Sequence, residues 1–327
     1  MRIVSPLAWG NGAYVLHKLL ERSLPGYEVR GYHPRWTYFP WLLRRFADSS
    51  ASLVHTTPDY AAFACAPGVP LVVTFHNYVL DPFMRPFSSA AQRLHYRFDL
   101  RWWTQRAVRQ AAAITAVSRF TASLAKTDLG LQRDIPVIYD GVDADAFAPG
   151  GRREAGVVKV LFSGNLTRRK GADLLPRIAE LLEPGVRILY TQGLLTRTRL
   201  PEHPRLECLG AVPFEAMPSL YRSVDLLVSP TVREGFGLNV AEAMACGLPV
   251  VATDCSSLPE LVDPGRGGYL CSLGAAEEFA RRINELAASA VLRREMGQYN
   301  RAKVEREFTL PRMVSEYRAL FERLLAS

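Results

Sequence analysis

The stretch from Ser229 to Asp254, SPTVREGFGLNVAEAMACGLPVVATD, leaves this chain few ways to fold. It follows Leu226-Leu227-Val228, an apolar run without alternation that reads as a strand buried on both faces of a parallel sheet. The run stops at Ser229-Pro230, and a loop from Val232 to Gly237 carries Arg233, Glu234, Gly235 and Gly237. The pattern then predicts a helix from Leu238 through Asn239 and Glu242 to Cys246, with Gly247 as its stop. Leu248 to Ala252 reads as the next apolar strand. Strand, glycine loop, helix N-terminus and strand, in that order, set backbone N–H groups at the carboxyl edge of a sheet, where anions and sugar hydroxyls bind. Glu234 on the loop and Glu242 one turn into the helix are too far apart in sequence to act on one atom. They serve different parts of one ligand.

The same alternation runs along the chain. Strands are predicted at Arg2 to Ala8, Tyr27 to Tyr32, Leu53 to Thr57, Pro70 to His76, Ala112 to Ser118 and Ile135 to Tyr139. A second series is predicted at Val157 to Ser163, Val186 to Thr191, Leu206 to Leu209, Leu226 to Ser229, Leu248 to Ala252 and Gly268 to Cys271. Helical patterns separate them, which predicts an α/β protein of two doubly wound, Rossmann-like domains. Length allows this: 327 residues with 48% apolar content give each domain a core. The expected division is 1–149, joined by a last helix at 311–327, and 150–310, with Pro149-Gly150-Gly151 as the linker.

Composition narrows the function classes without choosing among them. No stretch approaches the ~20 apolar residues that span a bilayer, and no charged-then-apolar leader precedes Ile3, so a soluble cytoplasmic protein is expected. The five cysteines are scattered without a C-x-x-C pair, which favours reduced structural thiols over zinc. The net charge of +8 suits a phosphate-bearing ligand, an anionic membrane or nucleic acid alike. No nucleic-acid motif is present, and no Gly-x-Gly-x-x-Gly follows a strand as a dehydrogenase requires. Without an Asp-x-Asp run or a histidine cluster, no metal or other cofactor is expected.

Glu234 and Glu242 inside EGFGLNVAEAMACGLPVV resemble the signature of the retaining GT-B glycosyltransferases of family 4. That resemblance implies two domains facing across a cleft, a nucleotide-sugar donor (UDP-sugar first, GDP-sugar second) and a glycan or lipid-linked acceptor. It implies that Glu234 contacts donor-sugar hydroxyls, that Glu242 holds the ribose, and that the backbone of Gly235-Phe236-Gly237-Leu238 and neighbouring Asn239 face sugar or diphosphate. Gly164-Asn165-Leu166-Thr167-Arg168-Arg169-Lys170-Gly171 resembles the family's Gly-Arg-x-x-x-x-Lys-Gly phosphate loop. Lys170 matches, whereas Asn165 replaces the usual arginine and offers no guanidinium fork. Arg168 or Arg169 stands in for it, or the phosphates are held more weakly. The loop Gly10-Asn11-Gly12 resembles the family's amino-terminal glycine loop, and VVTFHN resembles the strand whose terminal histidine, here His76, lies beside the donor sugar. Asp140, where the family usually has asparagine, reads as a turn residue. Other readings left open are a non-catalytic nucleotide- or nucleic-acid-binding protein, or an epimerase or a phosphorylase of the same fold.

Residues 85–109, RPFSSAAQRLHYRFDLRWWTQRAVR, hold six arginines and one acid. From about Ser88 the pattern is helical, with Arg93, Arg97 and Arg101 on one stripe and Leu94, Phe98 and Trp102 beside it. Tyr96, Leu100, Trp103 and Ala107 are expected to face the core. Arginines flanking exposed aromatics suit an anionic lipid surface, giving a peripheral protein at the inner face of the plasma membrane. The alternative is a solvated basic face over a wholly buried aromatic stripe.

Overall fold

The computed structural model describes residues 1–87, 89–150, 156–193 and 199–326. The chain divides into two compact units, Met1–Gly141 with Leu310–Ser327, and Val142–Thr309.

The first unit runs β1 (Ile3–Ala8), α1 (Gly12–Ser23), β2 (Tyr27–Tyr32), β3 (Leu53–Thr56), α2 (Ala61–Ala64), β4 (Leu71–Phe75), α3 (Ala90–His95), α4 (Arg101–Gln110), β5 (Ala113–Ala116) and α5 (Arg119–Leu129). Among the described residues its strands form one parallel sheet in the order β2-β1-β3-β4-β5. Strands β3 and β4 are buried throughout, His55, Thr56 and Thr74 included, as strands covered on both faces are. The chain leaves β1 toward β2 and resumes with β3 on the other side, so the topological switch lies between β1 and β3. Helix α1 is capped by the Asn11 side chain, which accepts from the Tyr14 N–H at 2.9 Å. Ser118 caps α5 in the same way, accepting from the Thr121 N–H at 3.1 Å.

Ile135 to Tyr139, expected to be a strand, makes only one bridge, Ala116 with Val137. Pro136 has no N–H to give a ladder, and its carbonyl merely accepts from the Ala116 N–H. The 85–109 segment is not one helix either. A turn of wider, π-type winding at Tyr96–Leu100 separates α3 from α4 and breaks the regular spacing of the arginines. Leu94, Phe98 and Trp102 are nevertheless exposed, while Leu100 and Ala107 are buried and Tyr96 and Trp103 pack against the core. Ser88 and the side chain of Arg97 lie outside the described residues.

The second unit runs β6 (Val158–Phe162), α6 (Leu175–Glu180), β7 (Val186–Thr191), β8 (Leu206–Gly210), α7 (Met217–Arg222), β9 (Leu226–Ser229), α8 (Leu238–Ala245), β10 (Val250–Thr253), α9 (Leu258–Leu261), β11 (Gly268–Cys271), α10 (Ala276–Ala288) and α11 (Ala290–Glu307). Its parallel sheet has the order β11-β10-β9-β6-β7-β8. The last helix, α12 (Leu310–Ala326), belongs to the first unit. After the phosphate loop Ala172–Leu174 is a tight turn and α6 begins at Leu175, with Pro176 in its first turn, where a missing N–H costs nothing. The division between units falls after Gly141 rather than at the 149–151 linker. The Val142 N–H donates to the Phe308 carbonyl, and the Arg301 guanidinium donates to the Ala144 and Phe147 carbonyls, which ties residues 142–147 to the second unit.

Candidate active site

In the second unit β6 and β9 are neighbours, and the chain departs from them in opposite directions. This is the switch point at which open α/β sheets bind ligands. The loop after β6 carries Gly164 to Gly171, and the loop after β9 carries Pro230 to Gly237. They are fastened together. The Val232 N–H and the Thr231 hydroxyl both donate to the Arg169 carbonyl, at 2.8 and 3.0 Å. Gly171 makes the approach possible: its φ is +71°, and a Cβ there would stand 1.9 Å from the Pro230 carbonyl oxygen.

This fastening delivers Lys170 to Glu234, with Nζ donating to Oε1 at 2.5 Å. Burial works against ionisation of Glu234. The charges of Lys170 and Arg169, with hydrogen bonds from Lys170 and Thr231, outweigh it and hold the carboxyl below its ordinary value. The Glu234 N–H donates to Ser256 Oγ at 3.0 Å, and the Ser257 hydroxyl donates to the Phe236 carbonyl at 2.7 Å. Ser256 holds a φ of +52°, a costly conformation for a residue with a side chain. The sequence reading missed both serines, and only their place after β10 pointed to the strand edge.

Gly237, at φ +104°, begins α8; a Cβ there would press Leu258 and Leu261 at 3.0 and 3.1 Å. Leu238 opens the helix, and Asn239 donates to the Ser163 carbonyl at 3.1 Å, tying α8 to the end of β6. The Phe236 ring is buried edge-on against Phe308, so this segment can offer a ligand its backbone rather than that ring. Glu242 is as buried as Glu234, but among the described residues no cation acts on it. It accepts from the Tyr221 hydroxyl at 3.0 Å, and burial pushes its carboxyl up to about 8 against that bond. Near neutral pH it therefore holds its proton and can donate to one hydroxyl while accepting from another.

The remaining phosphate-loop residues separate clearly. Arg168 is exposed and faces Asp173 at 3.7 Å. Arg169 lies partly buried, its guanidinium donating to the Arg233 carbonyl at 3.4 Å, and its charge acts on Glu234. Asn165 packs against Gly193, where a Cβ would stand 2.2 Å from its Oδ1. The Gly164 N–H donates to Thr191 Oγ1 at 3.1 Å.

Gly10, Gly12 and His76 belong to the first unit. Gly10 has a φ of +82°, and among the described residues neither it nor Gly12 has a neighbour within 4 Å of a built Cβ. His76 follows β4; its Nε2 lies 3.0 Å from His17 Nε2, its Nδ1 lies 3.9 Å from Asp140 Oδ1, and burial pushes its pKa down to about 3. Asp140, read as a turn residue, is itself buried, and burial raises its carboxyl well above the usual range. Of the residues read as a lipid-facing surface, Arg93 and Trp102 are exposed, but Arg101 is committed to the fold. Its guanidinium donates to the carboxylate and carbonyl of Asp128 on α5 at 2.7 and 2.6 Å. No helix among the described residues is long and apolar enough to cross a membrane, and none of their His, Cys, Asp and Glu side chains cluster to hold a metal.

Two parallel α/β units with a charged strand-edge site are the architecture of the GT-B fold. Sucrose-phosphate synthase from Thermosynechococcus elongatus has this arrangement at a TM-score of 0.81 over 100% of both chains, with 17% identity. Anabaena HepE, solved with UDP and glucose, matches at 0.79 over 98% of this chain and 99% of that one, with 18% identity. The chain belongs to glycosyltransferase family 4: the family described as Glycosyltransferase Family 4 matches residues 8–146, and Glycosyl transferases group 1 matches 158–289. The D-inositol 3-phosphate glycosyltransferase of Mycobacteroides abscessus is 36% identical over 191 residues, 52% of this chain. That match spans 42% of the relative's own length. The alpha-maltose-1-phosphate synthase of Mycolicibacterium smegmatis is 27% identical over 97% of this chain and 89% of its own length.

Proposed function

We propose that the protein is a retaining hexosyltransferase that takes its sugar from a nucleotide-sugar, a UDP-sugar before a GDP-sugar, without a metal. The observation that carries this reading is the Lys170–Glu234 ion pair at 2.5 Å at the β6/β9 switch point, its carboxylate buried and its cation partly so, with the charge of Arg169 acting on Glu234 as well. A partly buried cation at a switch point is suited to the charge that develops on a departing diphosphate. Arg169, rather than the exposed Arg168, takes the part of the arginine that Asn165 replaces. Glu234, kept ionised, accepts from sugar hydroxyls and orients the sugar. Glu242 bridges the two ribose hydroxyls. The acceptor hydroxyl attacks from the face the diphosphate leaves, and a diphosphate oxygen takes its proton. HepE, solved with UDP and glucose, supports the choice of base and sugar type.

The acceptor is a glycan or a lipid-linked sugar at the cytoplasmic face of a membrane. Supporting this, Leu94, Phe98 and Trp102 are exposed, and so are Tyr38, Phe39 and Trp41 of a second segment. Phe63 joins the two segments, lying 4.1 Å from the Trp103 ring and under the Arg44 guanidinium. Exposed aromatics interleaved with arginines suit the boundary between headgroups and acyl chains.

Incubation with a panel of UDP- and GDP-sugars, reading release of UDP or GDP and the anomeric configuration of any product, tests the reading. Release from a UDP-hexose with retention is expected. Binding without release from any donor refutes the transferase in favour of a nucleotide-binding protein.

A further inference from the structure

On α4, in the first unit, Trp102, Arg106, Arg109 and Gln110 line a pocket of about 160 Å³. At positions i, i+4, i+7 and i+8 they share one exposed face of the helix, while Thr104, Ala107 and Val108 are buried on the other. The Arg106 guanidinium lies 5.8 Å from the centre of the Trp102 ring, a cation–π contact that holds it at the pocket. Among the described residues neither Arg106 nor Arg109 has a hydrogen bond or a carboxylate partner.

The charges around the pocket are committed elsewhere. Asp99, the one acid between residues 85 and 109, accepts from the Tyr60 hydroxyl at 2.6 Å and the Trp103 indole N–H at 3.1 Å. Asp128 is held by Arg101. The pocket therefore carries charge of one sign. It lies at the C-terminal end of α4, where the helix dipole alone would repel an anion. The Arg133 guanidinium offsets this, donating to the Val108 and Ala111 carbonyls at 2.5 and 3.1 Å and so covering two groups that carry the negative end.

Two unpaired guanidiniums and an amide side chain make a donor set for a phosphate, whose oxygens accept several bonds at once. The surroundings narrow the source of that phosphate. Leu94, Phe98 and Trp102 are exposed on the stretch that leads into the pocket, and a soluble phosphate compound gives such side chains nothing to bury against. A phospholipid does: its phosphate meets the arginines while its glycerol and upper acyl chains cover the apolar side chains.

We propose that the pocket of Trp102, Arg106, Arg109 and Gln110 binds the phosphate of an anionic phospholipid and so fixes where a membrane seats on the first unit. This deepens the membrane part of the reading above and rests on it; sugar transfer plays no part.

The test is co-sedimentation at low salt with phosphatidylcholine vesicles that carry phosphatidic acid. Arg106→Gln/Arg109→Gln is compared with Arg22→Gln/Arg318→Gln, which removes the same charge from exposed positions on α1 and α12 of the same unit. The first pair should weaken binding roughly 30-fold and the second by less than about threefold. Equal losses overturn the pocket in favour of diffuse charge and leave the membrane surface standing. A wild type that stays in the supernatant overturns both. Titration with glycerol 3-phosphate and with a short-chain phosphatidic acid in monomeric form, read by tryptophan fluorescence, separates the lipid from a soluble phosphate. The short-chain lipid should bind at least about tenfold more tightly, because each buried methylene adds affinity. Equal affinities overturn the lipid in favour of a soluble ligand. A fluorescence response that persists in Trp102→Phe places the binding elsewhere and overturns the pocket.

Discussion

Glu242→Gln separates the electrostatics of the site from its shape. Gln is close in size and shape to the protonated acid, can accept from the Tyr221 hydroxyl, and never ionises. In the wild type the carboxyl titrates near its ordinary 4.5 when unfolded and at about 8 when folded, because burial penalises the charged form. Below the lower value both states hold the proton and nothing is lost. As pH rises through the interval, the unfolded chain ionises while the folded one does not, so stability falls, and the loss is complete above the folded value. At about 1.4 kcal/mol per tenfold change in proton affinity, the span from about pH 5 to about pH 8 removes roughly 3–4 kcal/mol. The Gln variant escapes that loss. Its melting temperature relative to wild type should therefore climb by roughly 6–16 °C across the span, at ~2–4 °C per kcal/mol for a unit of this size. Thermal unfolding of both proteins at the two pH values measures this. An offset independent of pH refutes the burial of an unpaired carboxyl at this position.

Glu234→Ala should depress kcat, because sugar orientation counts most in the transition state, and Glu242→Ala should chiefly raise the donor KM. Wild-type rates for both at subsaturating donor would show that the site lies elsewhere. Asn165→Arg, which restores the family's guanidinium, should tighten UDP binding in calorimetric titration, and an unchanged affinity means the loop does not reach the phosphates. Wild-type protein should co-sediment with anionic vesicles at low salt and come off at high salt. Replacing Phe98 and Trp102 by Ser should weaken that binding by roughly 1.5–3 kcal/mol per immersed side chain. Protein that stays in the supernatant at low salt rules out the lipid surface.

What could be read from the sequence was what is local. Strand, loop and helix around Glu234 lie within one continuous stretch, and the strands on both sides of it appear where the apolar runs end. Gly171 was visible as a glycine, but its reason, the Pro230 carbonyl, comes from a loop far along the chain. Tyr221, Ser256 and Ser257 carry no local pattern that marks them, since each acts through a contact set by the sheet order. His17, His55 and His76 were invisible as a group because they come from α1, β3 and the end of β4, and only parallel pairing brings them together. Arg101 was misassigned for the opposite reason. A regular helical stripe was assumed where the chain inserts a wide turn, and the Arg101 guanidinium is half-buried in an ion pair with Asp128.

The claim on which the rest depends is that the β6/β9 switch point binds a nucleoside diphosphate through Lys170. Titration calorimetry of UDP into the wild type and Lys170→Ala tests it without needing an acceptor. The wild type should bind UDP, and the variant should bind it more weakly by ~1.5–3 kcal/mol, about 10–150-fold, as expected when a charge-assisted contact is lost. Equal affinity in the two proteins contradicts the assignment.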